Sequence, residues 1–402
     1  MSNTTPDGTT LQHWMPKFQR ELRKRLVSMG ISTVYKGPDR VVHNPYGLDP
    51  AGYDGAAATS YSVTDFTLAD DTMTVSRRAG AAEHIDNIEQ LQSRYDLSQD
   101  RAQRHAYVAK DKIDQYMFAL PVVAGSTVQD IDAGYMSSGV SNGTPISSSS
   151  SNIEDTANAI VERLGLVNGA MDRGLFWAIS PFELTDISGF SQNNGYNVAD
   201  AAIKNGFVTG TPFAGLDIFV TNNLTHTQVL GLATNPTAND TVIVNGVTFT
   251  FKAVPANPGE VDIGADADAT RILLQNAING SATGQNSATG YFEVSAADRL
   301  KLSRLQVSAV DSPSGNTLTV TARGTLITSE TLTDGTDAWA TVKRHTIAGV
   351  KGSLFLALPE DGGEFEKKAV SGKHGREITT SQIYNGTIWN NDLDQVLDVV
   401  TA

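Results

Sequence analysis

Gly139-Val140-Ser141-Asn142-Gly143 has the G-x-S-x-G spacing in which a sharp strand-to-helix turn presents a nucleophilic serine beside an oxyanion hole. Here the pentapeptide runs into Thr144-Pro145 and the serines Ser147 to Ser151, so no helix follows where the chemistry needs one, and the stretch reads as a loop. The seven histidines are scattered from His13 to His374, and no H-x-H or H-E-x-x-H spacing brings two of them to one metal. Asp262, Asp266 and Asp268 could offer oxygens to calcium. They lack the glycine and glutamate spacing of an EF-hand, and carboxylates at a helix start also suit the helix dipole. Cysteine is absent, which removes disulfides, Cys-ligated zinc and thiol catalysis together. There is no P-loop, no G-x-G-x-x-G and no aromatic-basic interleaving for stacking bases. These residues point to no catalytic group, no metal ligand and no cofactor, and to a protein that is not an enzyme.

The chain that would have to position such groups has 402 residues, more than one hydrophobic core usually organises, so more than one domain is expected. Hydrophobic residues make up 40% and charged residues 18%, enough apolar material for folded cores. The formal charge is −14, the wrong sign for a dedicated nucleic-acid binder. The first thirty residues differ: Lys17, Arg20, Arg23, Lys24 and Arg25 face only Asp7 and Glu21. Such a run is either a solvated helix face or a basic arm for an acidic neighbour or nucleic acid. No apolar run is long enough to span a bilayer, and Met1 to Gly8 is polar, unlike a signal peptide, so cytoplasmic synthesis is expected.

Leu11, Trp14, Phe18, Leu22 and Leu26 have helical spacing up to Gly30. Prolines and glycines from Pro38 to Gly55 then mark an extended, turn-rich arm. Apolar residues from Tyr61 to Val75 suggest two strands around an Asp70-Asp71 turn. A long helix is expected over 96–120, with Ala106, Ala109, Ile113 and Met117 on its apolar face, Asp114 among its exposed charges and Pro121 as its stop. Ser151 to Glu154 and Ser180-Pro181-Phe182-Glu183 are capping signals that open further helices. Leu175–Ile179 and Leu216–Val220 read as strands, and a short helix is expected over 198–205. Residues 225–341 differ in texture: Asn245-Gly246 marks a hairpin, a helix follows over 267–279, then strands near 307–310 and 317–322. An apolar helical segment is expected over 345–358, with strands near 378–384 and a last stretch over 393–400.

In this order the pieces resemble the major capsid proteins of tailed bacteriophages. The most specific stretches are Leu175 to Glu183, Asn205-Gly206, Phe213 to Leu224 and Ile383-Tyr384-Asn385-Gly386. The resemblance implies an α+β fold of N-terminal arm (1–36), extended β-hairpin loop (37–90), and spine helix with peripheral and first axial parts (91–224). An inserted small α+β module (225–341) and the remainder of the axial and peripheral domains (342–402) complete it. It implies a shell subunit that assembles with itself into pentamers and hexamers enclosing double-stranded DNA. Scaffolding, portal and decoration or cement proteins are the implied further partners, with no membrane. The implied setting is the virion, after assembly in the host bacterial cytoplasm. Subunit contacts are then expected at Lys17, Arg20, Arg23, Lys24, Arg25, Tyr61, Phe66, Arg77 and Arg78. A phage tail or surface-adhesion protein and an encapsulin-like compartment shell are the alternative readings.

Overall fold

The computed structural model describes residues 20, 22, 26–47, 68–85, 97–124, 128–167, 171–193, 211–369 and 376–402. Their elements are, in order, β1 (Ser32–Tyr35), β2 (Val41–Gly47), β3 (Leu68–Thr74), β4 (Arg77–Ile85), α1 (Leu97–Ala124), β5 (Gln129–Ile131), α2 (Ala133–Ser138) and α3 (Ile153–Gly165). β6 (Leu175–Ile179), α4 (Pro181–Asn193), β7 (Thr211–Phe213), β8 (Leu216–Val220), β9 (Thr225–Gly231), β10 (Thr241–Val244), β11 (Val247–Lys252) and β12 (Glu260–Asp262) follow. The chain continues through α5 (Ala267–Asn279), α6 (Ala296–Arg304), β13 (Ser308–Ser312), β14 (Thr317–Arg323), β15 (Thr328–Glu330) and β16 (Lys343–Val350). β17 (Leu354–Ala357), β18 (Gly363–Ala369), β19 (Arg376–Ile388) and β20 (Val396–Thr401) complete a mixed α+β protein. The chain divides into two units, one of residues 1–120, 167–174 and 349–396, the other of the remainder.

In the first unit α1 is the longest helix described, 28 residues or about 42 Å. Ala106, Ala109, Ile113 and Met117 are buried along the face their spacing marks out. Pro121 does not stop the helix, which runs on to Ala124. Proline removes one N–H, but so close to the last turn it forfeits a single backbone bond. The helix packs on β19: the Tyr116 hydroxyl donates to Asn385 Oδ1 (3.0 Å), and Met117 Sδ lies where a side chain on Gly386 would stand. β19 is flanked by β4 and β18 over its first part and pairs with β17 over Asn385 to Ile388, and β17 pairs in turn with β1, giving a five-stranded sheet.

Asp70 and Asp71 make no turn. They lie inside β3, which pairs with β2 from Val41↔Thr74 to Gly47↔Leu68. Their carboxylates have other partners: Asp70 Oδ2 contacts His43 Nδ1 at 2.8 Å, and Asp71 accepts from Asn390 N (2.9 Å) and Nδ2 (2.6 Å). Val42, Met73 and Val75 bury the root of this hairpin against Ala357 and Trp389. An isolated two-stranded hairpin is marginal in water, and this anchoring supplies what it lacks.

The segment 345–358, expected as a helix, is β16, a turn at Lys351-Gly352, and β17. Every residue from His345 to Val350 is buried. A run without alternation is what a strand covered on both faces shows, and periodicity alone cannot separate it from a buried helix.

The second unit is built on a nine-stranded sheet with the path β13-β14-β9-β16-β6-β8-β7, to which β20 adds through β16 and β5 through β20. β6, Leu-Phe-Trp-Ala-Ile, is buried at every residue, and Trp177 Nε1 donates to Thr346 Oγ1 at 3.0 Å. Ser180 and Glu183 form the anticipated capping pair, with Ser180 N donating to Glu183 Oε2 (3.0 Å) and Phe182 N to Ser180 Oγ (3.2 Å). Asn245 and Gly246 turn β10 into β11 at φ of 50° and 75°. Strands β10–β12 and β15 form a second sheet, whose Val242, Phe249, Phe251 and Val261 share one core with Leu274 and Ile278 of α5 and Leu318 and Val320 of β14. Asn279 closes the outer edge of β13, donating to Ala309 O (2.9 Å) and accepting from Ala309 N (2.8 Å), so this edge offers no ladder to another strand. The helix expected over 198–205 lies outside the described residues.

Candidate subunit-contact surface

Of the nine residues expected at subunit contacts, Arg20, Arg77 and Arg78 lie among the described residues; Lys17, Arg23, Lys24, Arg25, Tyr61 and Phe66 lie outside them. Arg20 is exposed. Arg77 and Arg78 open β4, opposite Tyr384 and Ile383 of β19. Both are engaged within the chain. The Arg77 guanidinium sits 4.0 Å above the centre of the Tyr116 ring, and Arg78 Nη1 lies 2.7 Å from Glu364 Oε2 of β18. The Arg78–Glu364 pair has side chains 60% and 47% exposed, and exposed pairs contribute at most ~1 kcal/mol. Arg78→Ala is therefore expected to leave thermal unfolding of the isolated subunit within about 1 kcal/mol of the parent. A large loss measured by calorimetry would place Arg78 in the fold and take it out of the interface.

Asp114 is not on an exposed face. It is fully buried on α1, where it accepts from Val27 N (3.2 Å), Ser28 N (3.1 Å) and Ser28 Oγ (2.7 Å), with Lys110 Nζ 3.7 Å away. Burial pushes its carboxyl above the usual range, against the pull of the Ser28 bonds. One side chain thus ties the segment after the basic run to the long helix. The spacing of α1 could not reveal this, because the partner is 86 residues distant.

The Gly139–Gly143 pentapeptide follows the short helix α2 and folds back on that helix's N-cap, Asp132. Ser141 Oγ (2.8 Å), Asn142 N (2.9 Å) and Gly143 N (2.5 Å) all donate to Asp132 Oδ2. Burial alone would raise this carboxyl; the bonds from Tyr135, Ser141, Gly143 and Asn142 prevail and hold it below the usual range. Ser141 is a loop clasp, with its hydroxyl committed to a carboxylate. Asp266 caps α5 through Ala269 N (2.8 Å), and Asp268 pairs with Arg271, so both carboxylates serve the helix start.

Thr227, His345 and Asp398 form a cluster that no spacing announces. His345 Nδ1 contacts Asp398 Oδ2 at 2.7 Å and its Nε2 contacts Thr227 Oγ1 at 2.9 Å. The order hydroxyl, imidazole, carboxylate is that of a hydrolase relay. Thr227, however, lies inside β9 with a strand on each side, Thr321 of β14 and Lys343 of β16, which leaves no turn to present it. Asp130 of β5 faces Asp398 across the β5–β20 pair. Burial, with the like charge of Asp398 next, raises Asp130 to about 6.

No family model matches the sequence, and no curated protein matches it. Among solved structures, the chain is similar to the capsid of cyanophage P-SCSP1u at 11% identity, covering 93% of this chain and 88% of that one with a TM-score of 0.46. A structure from Mycobacterium phage Che8 aligns at 10% identity over 90% and 84%, with a TM-score of 0.46. The capsid of a native GTA particle aligns at 9% identity over 95% and 90%, with a TM-score of 0.45.

Proposed function

We propose that this chain is the major capsid protein of a tailed bacteriophage, a subunit that closes with copies of itself into pentamers and hexamers around double-stranded DNA. The observation that carries the reading is the construction of the first unit. A segment following a basic run is tied to a long helix by Asp114, and a two-stranded hairpin is rooted on the same body through Asp71–Asn390 and the Val42–Trp389 cluster. In this reading residues 1–36 are the arm, 37–90 the extended loop and 91–224 the spine helix with its peripheral and first axial parts. Residues 225–341 are an insertion, and 342–402 return to the axial and peripheral parts. Arm and loop reach neighbouring subunits, with contacts at Lys17, Arg20, Arg23, Lys24, Arg25, Tyr61, Phe66, Arg77 and Arg78. The −14 charge suits a wall that holds a genome without trapping it. Scaffolding, portal and decoration proteins are the further partners, and the mature location is the virion.

Negative-stain electron microscopy of the purified protein tests this directly. Closed shells, or rings of five and six, are expected; uniform fibres or isolated trimers would overturn the reading. Removing residues 1–19 keeps the buried Leu22 and Leu26 and the Asp114 tie, so the shortened subunit is expected to fold with an unchanged circular dichroism spectrum. Its shells are expected to fail or to change size. Normal shells from the shortened chain would remove residues 1–19, Lys17 among them, from the assembly mechanism.

A further inference from the structure

β9 enters the nine-stranded sheet between two unlike neighbours. On one side it pairs with β14 along its whole length, Thr225↔Arg323 to Gly231↔Thr317. On the other it meets β16 over three pairs: Thr225↔His345, His226↔Arg344 and Thr227↔Lys343. β14 belongs with the core of residues 230–326, whereas β16 leads into β6 and β8. The three pairs are therefore a seam between the 225–341 module and the sheet that bears it.

At the centre of this seam is a buried imidazole without an anion. His226 is 6% exposed, and its Nδ1 is buried with no hydrogen-bond partner. Across the seam it faces Arg344, flanked by Lys343 and His345. On β14 it faces Ala322, with Arg323 next in register. The carboxylates in the neighbourhood are committed elsewhere: Glu183 of α4 holds Arg344 (3.3 Å), and Asp398 of β20 holds His345 (2.7 Å) and faces Asp130 of β5. A proton on His226 would thus create a buried cation beside an arginine with nothing to offset it.

We propose that the seam is a proton-operated joint: protonation of His226 opens the three-pair contact between β9 and β16 and frees the module to move against the sheet that bears it. Opening hydrates the ring and separates it from Arg344, so the open form binds the proton and the closed form rejects it. Burial, then the charges of Arg344 and His345, lower His226 to about 4 from an ordinary 6.5. Its folded value lies below its hydrated value, so the seam is fully closed above pH ~6.5 and weakens as pH falls toward 4. Asp130 acts in the opposite sense, since acid relieves the cost of its burial and its repulsion with Asp398. Asp130 is half-exposed and screened by water, whereas His226 is buried, so the histidine dominates. The strand to β14 stays paired throughout, which makes the response local.

Amide hydrogen exchange on the full chain at pH 7.5 and 4.5, corrected for the intrinsic rate, tests the joint. Protection of residues 225–227 and 343–345 is expected to fall in acid by a factor on the order of a hundred, while β10, β11 and β6 keep theirs. His226→Gln, which cannot take up the proton, is expected to keep its seam protected at both pH values. Equal protection at both pH values, a simultaneous loss in β10, β11 and β6, or the same loss in His226→Gln would each overturn the proposal. Should that variant fail to fold, the His226 ring signal of the parent decides. A ring that stays neutral until the seam opens supports the joint; one that titrates near 6.5 in a closed seam refutes it.

Discussion

Arg271→Ala is expected to destabilise the core of residues 230–326 by about 3–5 kcal/mol. Arg271 is a fully buried residue on α5, and its guanidinium is satisfied on three sides. Nε donates to Asp311 Oδ1 (2.8 Å), Nη1 to Leu232 O (2.5 Å) and Nη2 to Asp268. Asp311 is itself only 6% exposed, so truncation strands a buried carboxylate and a carbonyl and leaves a hole in the packing. Asp268, with its side chain 55% exposed, regains water and matters little. Arg271→Met separates charge from volume: it refills the space but still strands Asp311, and should cost nearly as much. The double variant Arg271→Met, Asp311→Leu removes both charges and should recover most of the loss, because a buried ion pair often has little net value over apolar packing. Urea unfolding followed by exchange of the β10 and β11 amides measures each value. Equal stability of the alanine variant and the parent would mean that the buried network is not holding α5 to β13.

What was legible in the sequence is what local spacing encodes. Leu175–Ile179, Leu216–Val220 and the helix Ala267–Asn279 stand where their apolar runs and caps put them, and Asn245-Gly246 turns as its φ preferences require. What was not legible depends on distant partners. β9, β4 and β18 are strands because β14, β19 and β16 lie beside them, and no local alternation marks them out. Asp70-Asp71 looked like a turn and is a strand whose carboxylates dock on Asn390 and His43. The run after His345 looked helical because a strand buried on both faces lacks the period-2 signature. The candidate surface follows the same division. Arg77 and Arg78 could be picked out by charge, but their partners Tyr116 and Glu364 could not, and neither could the role of Asp114. His226 is the extreme case: nothing in Thr-His-Thr reveals that its neighbour across the seam is an arginine.

Excising residues 228–342, the bulk of the proposed insertion, is expected to leave a folded chain. Its two ends meet in register, Thr227 opposite Lys343, so replacing residues 228–342 with Asn-Gly turns one strand directly into the other through a two-residue hairpin. The core that leaves with the module is its own, since every member of the Leu230-to-Leu326 cluster lies inside the excised stretch. The core that stays, Leu175–Ile179 with Ile347, Ala348, Leu397 and Val399, loses none of its members. The loss that remains is the outer neighbour of Thr225, His226 and Thr227, and the bond from Gly324 N to Leu224 O (2.8 Å); the backbone groups so freed turn to water. Net hydrogen-bond contributions of about 1 kcal/mol each put that loss within a few kcal/mol. Circular dichroism melting of the shortened chain should show a cooperative transition, and micrographs should still show shells if the capsid reading is right. Insoluble or non-cooperative material would mean that the module is needed for the sheet to fold. The same excision hydrates His226. The depression of its titration below 6.5 should then shrink to what Arg344 and His345 impose, and the acid sensitivity of the β9–β16 pairs should shrink with it, because the imidazole would reach water without any strand having to move.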